Sequence, residues 1–314
     1  MALAEERSHA RLERDWPRAD ELKARIEAAG WRVVDDGPAF TLHPARTPDL
    51  VEDGQTWYGA VESVPSRLEE AATAAASVVV IAPPDGTVDD ALRALAAHRS
   101  VDVQVVVVAP RPVSVAGPCD ELVPTVEPFS AGDALQAALR RATGAVVVVL
   151  DPRRVVSGDP VGPLVAALDD PGVAMAGSDG LSSTDLHRYL PARGSVTTLT
   201  SGCYAFRRAD AIARGPIDGR LRLPDSVATW LGLQLRDAGE EAPPRRALVV
   251  ELPLGPTPEP AEGHDPRAAR RDGYRIADRF GEATWLAADE PPEGRIVGDG
   301  AEHDGGADDD EESG

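Results

Sequence analysis

Hydrophobic positions follow three regimes along the chain. In residues 2–29, Leu12, Trp16, Ala19, Leu22 and Ile26 recur at spacings of three or four, which lines one face of a helix. Pro17 predicts a break into two helices, and Gly30 is a C-terminal stop. Two short alternating runs, 31–34 and 39–42, flank Asp35-Asp36-Gly37-Pro38 and predict a hairpin. Residues 44–70 hold Pro44, Pro48, Gly54 and Pro65 and read as a linker, with a short helix from Ser66. The Trp57-Tyr58 pair within it is expected to pack the N-terminal module against the rest of the chain, the alternative being an exposed contact.

From Ser77 the pattern changes to unbroken aliphatic runs. Residues 77–82, 103–109 and 145–150 read as strands buried on both faces, and 122–126 and 173–176 as shorter strands. Helical segments lie between them at 88–98, with Thr87 as N-cap, and at 131–142 and 161–168. This alternation predicts an α/β fold with a doubly wound, mostly parallel sheet. The second half adds a strand at 198–207, a helix from Asp210, a helix at 226–238 stopped by Gly239, a strand at 247–252 and a basic helix at 267–280. Ligands of open α/β sheets sit beyond the carboxyl ends of the strands. The segments placed there are Ala82-Pro83-Pro84-Asp85, Ala109-Pro110-Arg111 and Asp151-Pro152-Arg153-Arg154. No G-x-G-x-x-G follows the first strand and no phosphate-binding G-x-x-x-x-G-K-[ST] occurs, so a dinucleotide fold and a P-loop are not supported.

Charge refines this picture. The 314 residues carry a formal net charge of -21. From residue 287 to 314 there are eleven acidic residues and one basic residue, Arg295, so this tail accounts for about -10. It has few apolar side chains and is expected to be disordered, as a solubilising tail or an electrostatic contact. The acidic balance excludes a broad basic footprint for duplex DNA. Cys119 and Cys203 cannot build a disulfide framework, and no Cys/His set has zinc spacing. The charged N-terminus is not a signal peptide and the apolar runs are too short to span a bilayer, so the expected compartment is the cytoplasm. Lys23 is the only lysine and asparagine is absent, a usage that reflects genome composition rather than function.

Two segments carry family resemblances. Arg14-Asp15-Trp16-Pro17-Arg18-Ala19-Asp20-Glu21-Leu22, continuing to Gly30-Trp31 and the hairpin, resembles the C-terminal end of bacterial cysteinyl-tRNA synthetases over residues 5–45. That resemblance implies an anticodon-binding type of module, contacting tRNA or a protein, or a module borrowed only for packing. HIGH-like and KMSKS-like motifs and zinc cysteines are missing, so aminoacylation is not expected. Five motifs from about 75 to 281 follow the order of family 2 glycosyltransferases of the A-type fold. They are 145–150 followed by Asp151; Ser157-Gly158-Asp159-Pro160 with 164–171; Gly202-Cys203-Tyr204-Ala205-Phe206-Arg207-Arg208; residues 220–239; and residues 267–281.

The body therefore resembles an enzyme that moves a sugar from a nucleotide diphosphate to an acceptor hydroxyl. The resemblance divides the chain into a helix-hairpin module (1–45), a linker (46–74), a glycosyltransferase-like domain (75–285) and an acidic tail (286–314). It implies Mn or Mg at an acidic D-x-D, with Asp151 as ligand. Here the second acid is replaced by Arg153, a degenerate D-x-D. Arg153 and Arg154 can instead counter diphosphate charge, or they are arginines of a solvated loop. The implied donor-binding set is Asp85, Asp151, Arg153 and Arg154, with Asp85 alternatively a turn residue. Asp225 is the candidate catalytic base or, alternatively, a helix N-cap. Cys203, Tyr204 and Arg207 are placed on the acceptor side, Cys203 alternatively as a small core residue. The opposing functional reading is a catalytically inactive member of the fold that binds or scaffolds.

Overall fold

The computed structural model describes residues 1–36, 39–44, 46–84, 86–237, 244–256 and 265–283. The predicted disordered tail, Gly239 and Asp85 lie outside the described residues. The N-terminal helix divides into α1 (Ala2–Leu12) and α2 (Trp16–Ala28). Arg14 takes a left-handed φ of 61°, Asp15 Oδ1 accepts the Arg18 N–H at 3.1 Å, and Pro17 lies in the first turn of α2. That cap and proline start the second helix, which is why the break falls there. Gly30, with φ of 83°, turns the chain into β1 (Trp31–Asp36), antiparallel to β2 (Ala39–Pro44). Arg7 donates to both carboxylate oxygens of Asp35 at 2.8 and 3.1 Å, tying α1 to the hairpin and holding the Asp35 carboxyl below its ordinary range. Along the apolar stripe Ala19, Leu22 and Ile26 are buried, whereas Leu12 and Trp16 remain exposed.

The segment read as a linker is bound to the body. It contains a hairpin of β3 (Leu50–Glu52) and β4 (Gln55–Trp57), turned at Asp53 (φ 51°) and Gly54 (φ 80°). Three-residue strands leave too short a pattern to read from sequence. The helix expected from Ser66 is not formed: a 3-10 turn lies earlier, at Val61–Ser63, and residues 68–69 make only a turn. Tyr58 N–H donates to Pro124 O at 2.9 Å and Tyr58 O accepts from Val126 N at 3.0 Å, while the Arg111 guanidinium lies 5.0 Å from the Trp57 ring centroid. The pair packs rather than standing as an exposed contact, but it seats the linker's own hairpin on residues 124–126 and Arg111. Val64 is fully buried, and Arg208 donates to the carbonyls of Glu70 and Arg67.

The body runs β5 (Ala74–Ile81), α3 (Asp89–His98), β6 (Val103–Pro110), β7 (Glu121–Thr125), α4 (Ala131–Arg141), β8 (Gly144–Leu150), α5 (Val161–Ala167) and β9 (Val173–Gly177). It continues with β10 (Gly180–Ser182), β11 (Leu190–Ala192), β12 (Ser195–Val196), β13 (Thr198–Leu199), β14 (Cys203–Arg207), α6 (Arg208–Arg214), α7 (Pro224–Arg236), β15 (Arg246–Val249) and α8 (Pro266–Phe280). The main sheet has the order β12-β15-β9-β14-β8-β5-β6-β7. Strands β8, β5, β6 and β7 are parallel, as are β15 and β9, and β14 runs antiparallel between β8 and β9. The sheet is therefore mostly parallel, as predicted. The single strand expected at 198–207 is two: β13 joins a small sheet in the order β11-β10-β13, and β14 enters the main sheet. Residues 200–202 turn between them, because the chain changes partner there.

Successive side chains of a strand point to opposite faces, so the valine runs supply two cores at once. On one face Val79, Val106, Val108, Val147 and Val149 pack with Leu135 and Leu139 of α4 and Leu231 and Leu235 of α7. On the other, Val78, Val80, Val105, Val107 and Val148 pack with Leu92 and Leu95 of α3 and Leu164 of α5. Helices on both faces are the only way to keep such strands dry.

Helix α8 lies on α7 through Leu233, Ile276 and Phe280, with Trp230 edge-on to Phe280 at 5.1 Å and 73°. Asp272 of α8 is fully buried, and its Oδ2 accepts the N–H groups of Arg222 (2.8 Å) and Leu223 (3.0 Å). Leu223 opens α7 and has no side-chain cap of its own. Asp272 thus caps α7 from another element. Asp272→Ala is expected to lower the unfolding free energy by about 1–2 kcal/mol, since it leaves two part-buried N–H groups without their acceptor; urea unfolding checks this.

Candidate functional site

The carboxyl end of β8 meets the start of β14. Cys203 pairs with Leu150, and one residue further on Asp151 N–H donates to Gly202 O at 3.0 Å. The Asp151 carboxylate faces back along its own loop. Its Oδ1 accepts Arg153 N at 2.9 Å and Arg153 Nε at 3.0 Å, and its Oδ2 accepts Arg153 Nη2 at 2.6 Å. The result is a bidentate pair closed within three residues, about one-tenth exposed on the carboxylate side and 43% exposed on the guanidinium side. The proton affinity of the Arg153 guanidinium is raised by Asp151 first and by Asp225 as well, so Asp225 lies within the field of the same guanidinium.

Arg154 turns inward and is buried. Its Nη1 donates to Asp179 Oδ2 at 3.0 Å, and Ser178 Oγ donates to that oxygen at 2.6 Å. Ser178 and Asp179 directly follow β9, on the same edge of the sheet. Gly202 makes room for this side chain: a Cβ there would stand 3.0 Å from Arg154 Nη1. Ser201 N–H donates to Asp225 Oδ1 at 2.8 Å, which brings the first turn of α7 to the same loop. The alternative role of Asp225 as a helix N-cap does not hold. The helix starts at Pro224, and the exposed Asp225 carboxylate reaches Ser201 across the loop instead.

Of the candidate donor and catalytic residues, Asp151, Arg153, Arg154 and Asp225 are thus brought together, and Asp85 lies outside the described residues. The acceptor-side trio does not join them. Cys203 is fully buried, and burial pushes its thiol up to about 12. Tyr204 is buried in the core, and its hydroxyl is raised well above the ordinary range by the same desolvation. Arg207 sits at the far end of β14, opposite Val146, and donates to the carbonyls of Val173 (2.8 Å) and Asp170 (2.7 Å). Arg111, just past the end of β6, is engaged by Glu52 at 2.9 Å and by Trp57. Ser178 and Asp179 are not among the residues singled out from sequence, although their place just after a predicted buried strand was the available signal.

Among the described residues no group of three or more His, Cys, Asp or Glu side chains is arranged to hold a metal ion. Both Asp151 oxygens are taken by Arg153, and Asp179 Oδ2 is taken by Arg154 and Ser178. As arranged, these carboxylates do not fit the Mn or Mg site expected at Asp151. Among the described residues no helix is long and apolar enough to cross a membrane.

No protein-family model matches the chain, and no curated protein matches it at a significant level. Among solved structures it is similar to the mannosyltransferase PcManGT from Pyrobaculum calidifontis in complex with GDP-Man and Mn2+, at 17% identity and a TM-score of 0.50, over 72% of this chain and 71% of that one. It is also similar to S. aureus TarS 1-349 in complex with UDP, at 16% identity and a TM-score of 0.47, over 68% of this chain and 67% of that one. A third is glucosyl-3-phosphoglycerate synthase from Mycobacterium tuberculosis with Mn2+, UDP-glucose and phosphoglyceric acid, at 17% identity and 0.46, over 67% and 80%. The likeness to the mannosyltransferase shows the fold: the body has the architecture of A-type glycosyltransferases.

A thiol held near 12 carries almost no thiolate at pH 8. Iodoacetamide at that pH is expected to leave Cys203 unmodified in the native protein and to label it after denaturation, as read by peptide mass mapping.

Proposed function

We propose that the chain is a glycosyltransferase-like cytoplasmic protein that takes a nucleotide-diphosphate sugar at the carboxyl ends of β8 and β9. One observation carries this reading: the segment 151–154, with its Asp151–Arg153 pair and buried Arg154, and the exposed Asp225 carboxylate meet around the loop 201–202 of an A-type fold. In this proposal Arg153 faces the diphosphate, since a guanidinium fork matches phosphate oxygens, and the buried Arg154 holds Asp179 behind it. Asp225 accepts the proton of the acceptor hydroxyl as the bond from that oxygen to the anomeric carbon forms and the bond to the diphosphate breaks. The Ser201 N–H holds the Asp225 carboxylate in place while its outer face stays open to solvent. The mannosyltransferase with the same fold was solved with GDP-Man, which supports a nucleotide-sugar donor.

A second reading, a catalytically inactive binding protein on this fold, is favoured by the closure of Arg153 over Asp151. Calorimetric titration with UDP-, GDP- and TDP-sugars, with and without Mn2+, separates the two. The enzyme reading expects binding of at least one donor. It also expects Asp225→Asn to keep that binding while slowing transfer or hydrolysis about 100-fold or more. Donor binding with no turnover by the native chain, or no binding to any donor, removes the enzyme reading and leaves the inactive one.

The N-terminal module is proposed as a contact surface for tRNA or a protein, with Leu12, Trp16 and Trp31 exposed on it. A gel shift with total tRNA at low salt is expected to show a complex that weakens as salt rises; no shift at low salt ends the RNA part of the proposal.

A further inference from the structure

We infer that Arg153 is the resident cation of the candidate site, a side chain standing where a divalent metal would otherwise be held, so that the site meets diphosphate without a metal. The inference rests on the donor-site reading for its ligand, but not for its test. Three carboxylates, Asp151, Asp179 and Asp225, converge around two guanidinium groups. Asp151 is the best-placed ligand by its position at the end of β8, yet both of its oxygens are filled by one guanidinium. The Asp225 carboxylate, held by the Ser201 N–H, lies within the field of that same guanidinium.

The pair is built into the chain locally. Pro152 separates the partners and fixes its own φ, and Arg153 N–H also binds Asp151 Oδ1 at 2.9 Å. Arg154 N–H donates to Asp151 O at 3.0 Å, closing the turn. Neither partner has to be recruited from elsewhere in the fold. A guanidinium cannot be deprotonated near neutral pH and cannot be removed by a chelator. At 43% exposure, the Arg153 side chain is open to an incoming anion. Phosphate oxygens compete with the Asp151 carboxylate for the same N–H donors, so diphosphate binding exchanges one anionic partner for another at a cation that stays in place.

The test is Mn2+ binding to the full chain, read by electron paramagnetic resonance without any nucleotide. The acidic residues of the C-terminal segment are common to every variant and set a shared background. The native chain and Asp151→Asn should bind Mn2+ alike. Arg153→Asp removes the cation and places a second carboxylate two residues after Asp151. It should gain one site at least tenfold tighter than the native chain has, lost again when Asp151→Asn is added. Arg153→Ala, a milder change on an exposed side chain, should show a smaller gain of the same Asp151 dependence and serves if Arg153→Asp does not fold by circular dichroism. No gain in either folded variant overturns the inference, and so does Asp151-dependent Mn2+ binding by the native chain. A nucleotide-sugar titration that shows no donor binding removes the proposed function and leaves the Mn2+ result standing.

Discussion

The antiparallel pairing of β14 with β8 is the constraint on which the site depends. The other neighbour of β8 in the sheet, β5, runs parallel to it, so its carboxyl end would otherwise meet only other carboxyl ends. Because β14 runs the other way, its beginning arrives at that edge, and the turn 200–202 is set directly against Asp151. Ser201 then engages Asp225, and Gly202 admits Arg154. A chain reversal in one strand thus gathers residues from three segments more than twenty residues apart. The same reversal carries Arg207 to the opposite edge, where it ties the carbonyls at 170 and 173.

Arginine serves two different ends in this nearly lysine-free chain. At the far edge of the sheet Arg207, Arg236 and Arg245 are used as carbonyl clamps. Arg236, fully buried, donates to Thr197 O and Arg245 O, both at 2.9 Å, and Arg245 donates to Leu235 O at 2.6 Å and to Asp210 at 2.6 Å. These bonds connect α6, α7, β13 and β15 through their ends, where backbone carbonyls lack partners of their own. At the site edge, Arg153 and Arg154 are paired with carboxylates instead. The net charge of -21 therefore says little about the local field at the mouth of the sheet. What matters there is a small cluster of three carboxylates and two guanidinium groups in partly buried surroundings, where pairing is stronger than on an open surface.

Helix α8 packs against α7 and ties down its start, next to the site. Its apolar side covers α7 and its buried Asp272 fixes the two N–H groups just ahead of α7. Asp225 follows two residues later, so the position of the proposed base depends on a residue 47 positions away in sequence and on packing that no local rule contains. A capping residue supplied by a different helix has no sequence signature; the local signal is Pro224 in the first turn, where α7 begins, two residues before the predicted start.

The sequence by itself determined the alternation of buried strands and helices, the broken N-terminal helix and the first hairpin. It also determined that the loop after β8 carries Asp151, Arg153 and Arg154. These are local matters: an unbroken run such as Val105–Val106–Val107–Val108 can be buried only with helices on both faces, and Asp15, Pro17 and Gly30 act on their own neighbours. Tertiary structure alone decided which of the singled-out residues meet. It brought Asp179 to Arg154 and Asp225 to Ser201, sealed Cys203 and Tyr204 into the core, and sent Arg207 away. It also turned a proline-rich linker into a hairpin held on the sheet edge by Tyr58. The reason is physical: side-chain periodicity records which face of an element is buried, whereas strand direction and sheet order, which place one loop against another, arise from long-range pairing that the periodicity does not encode.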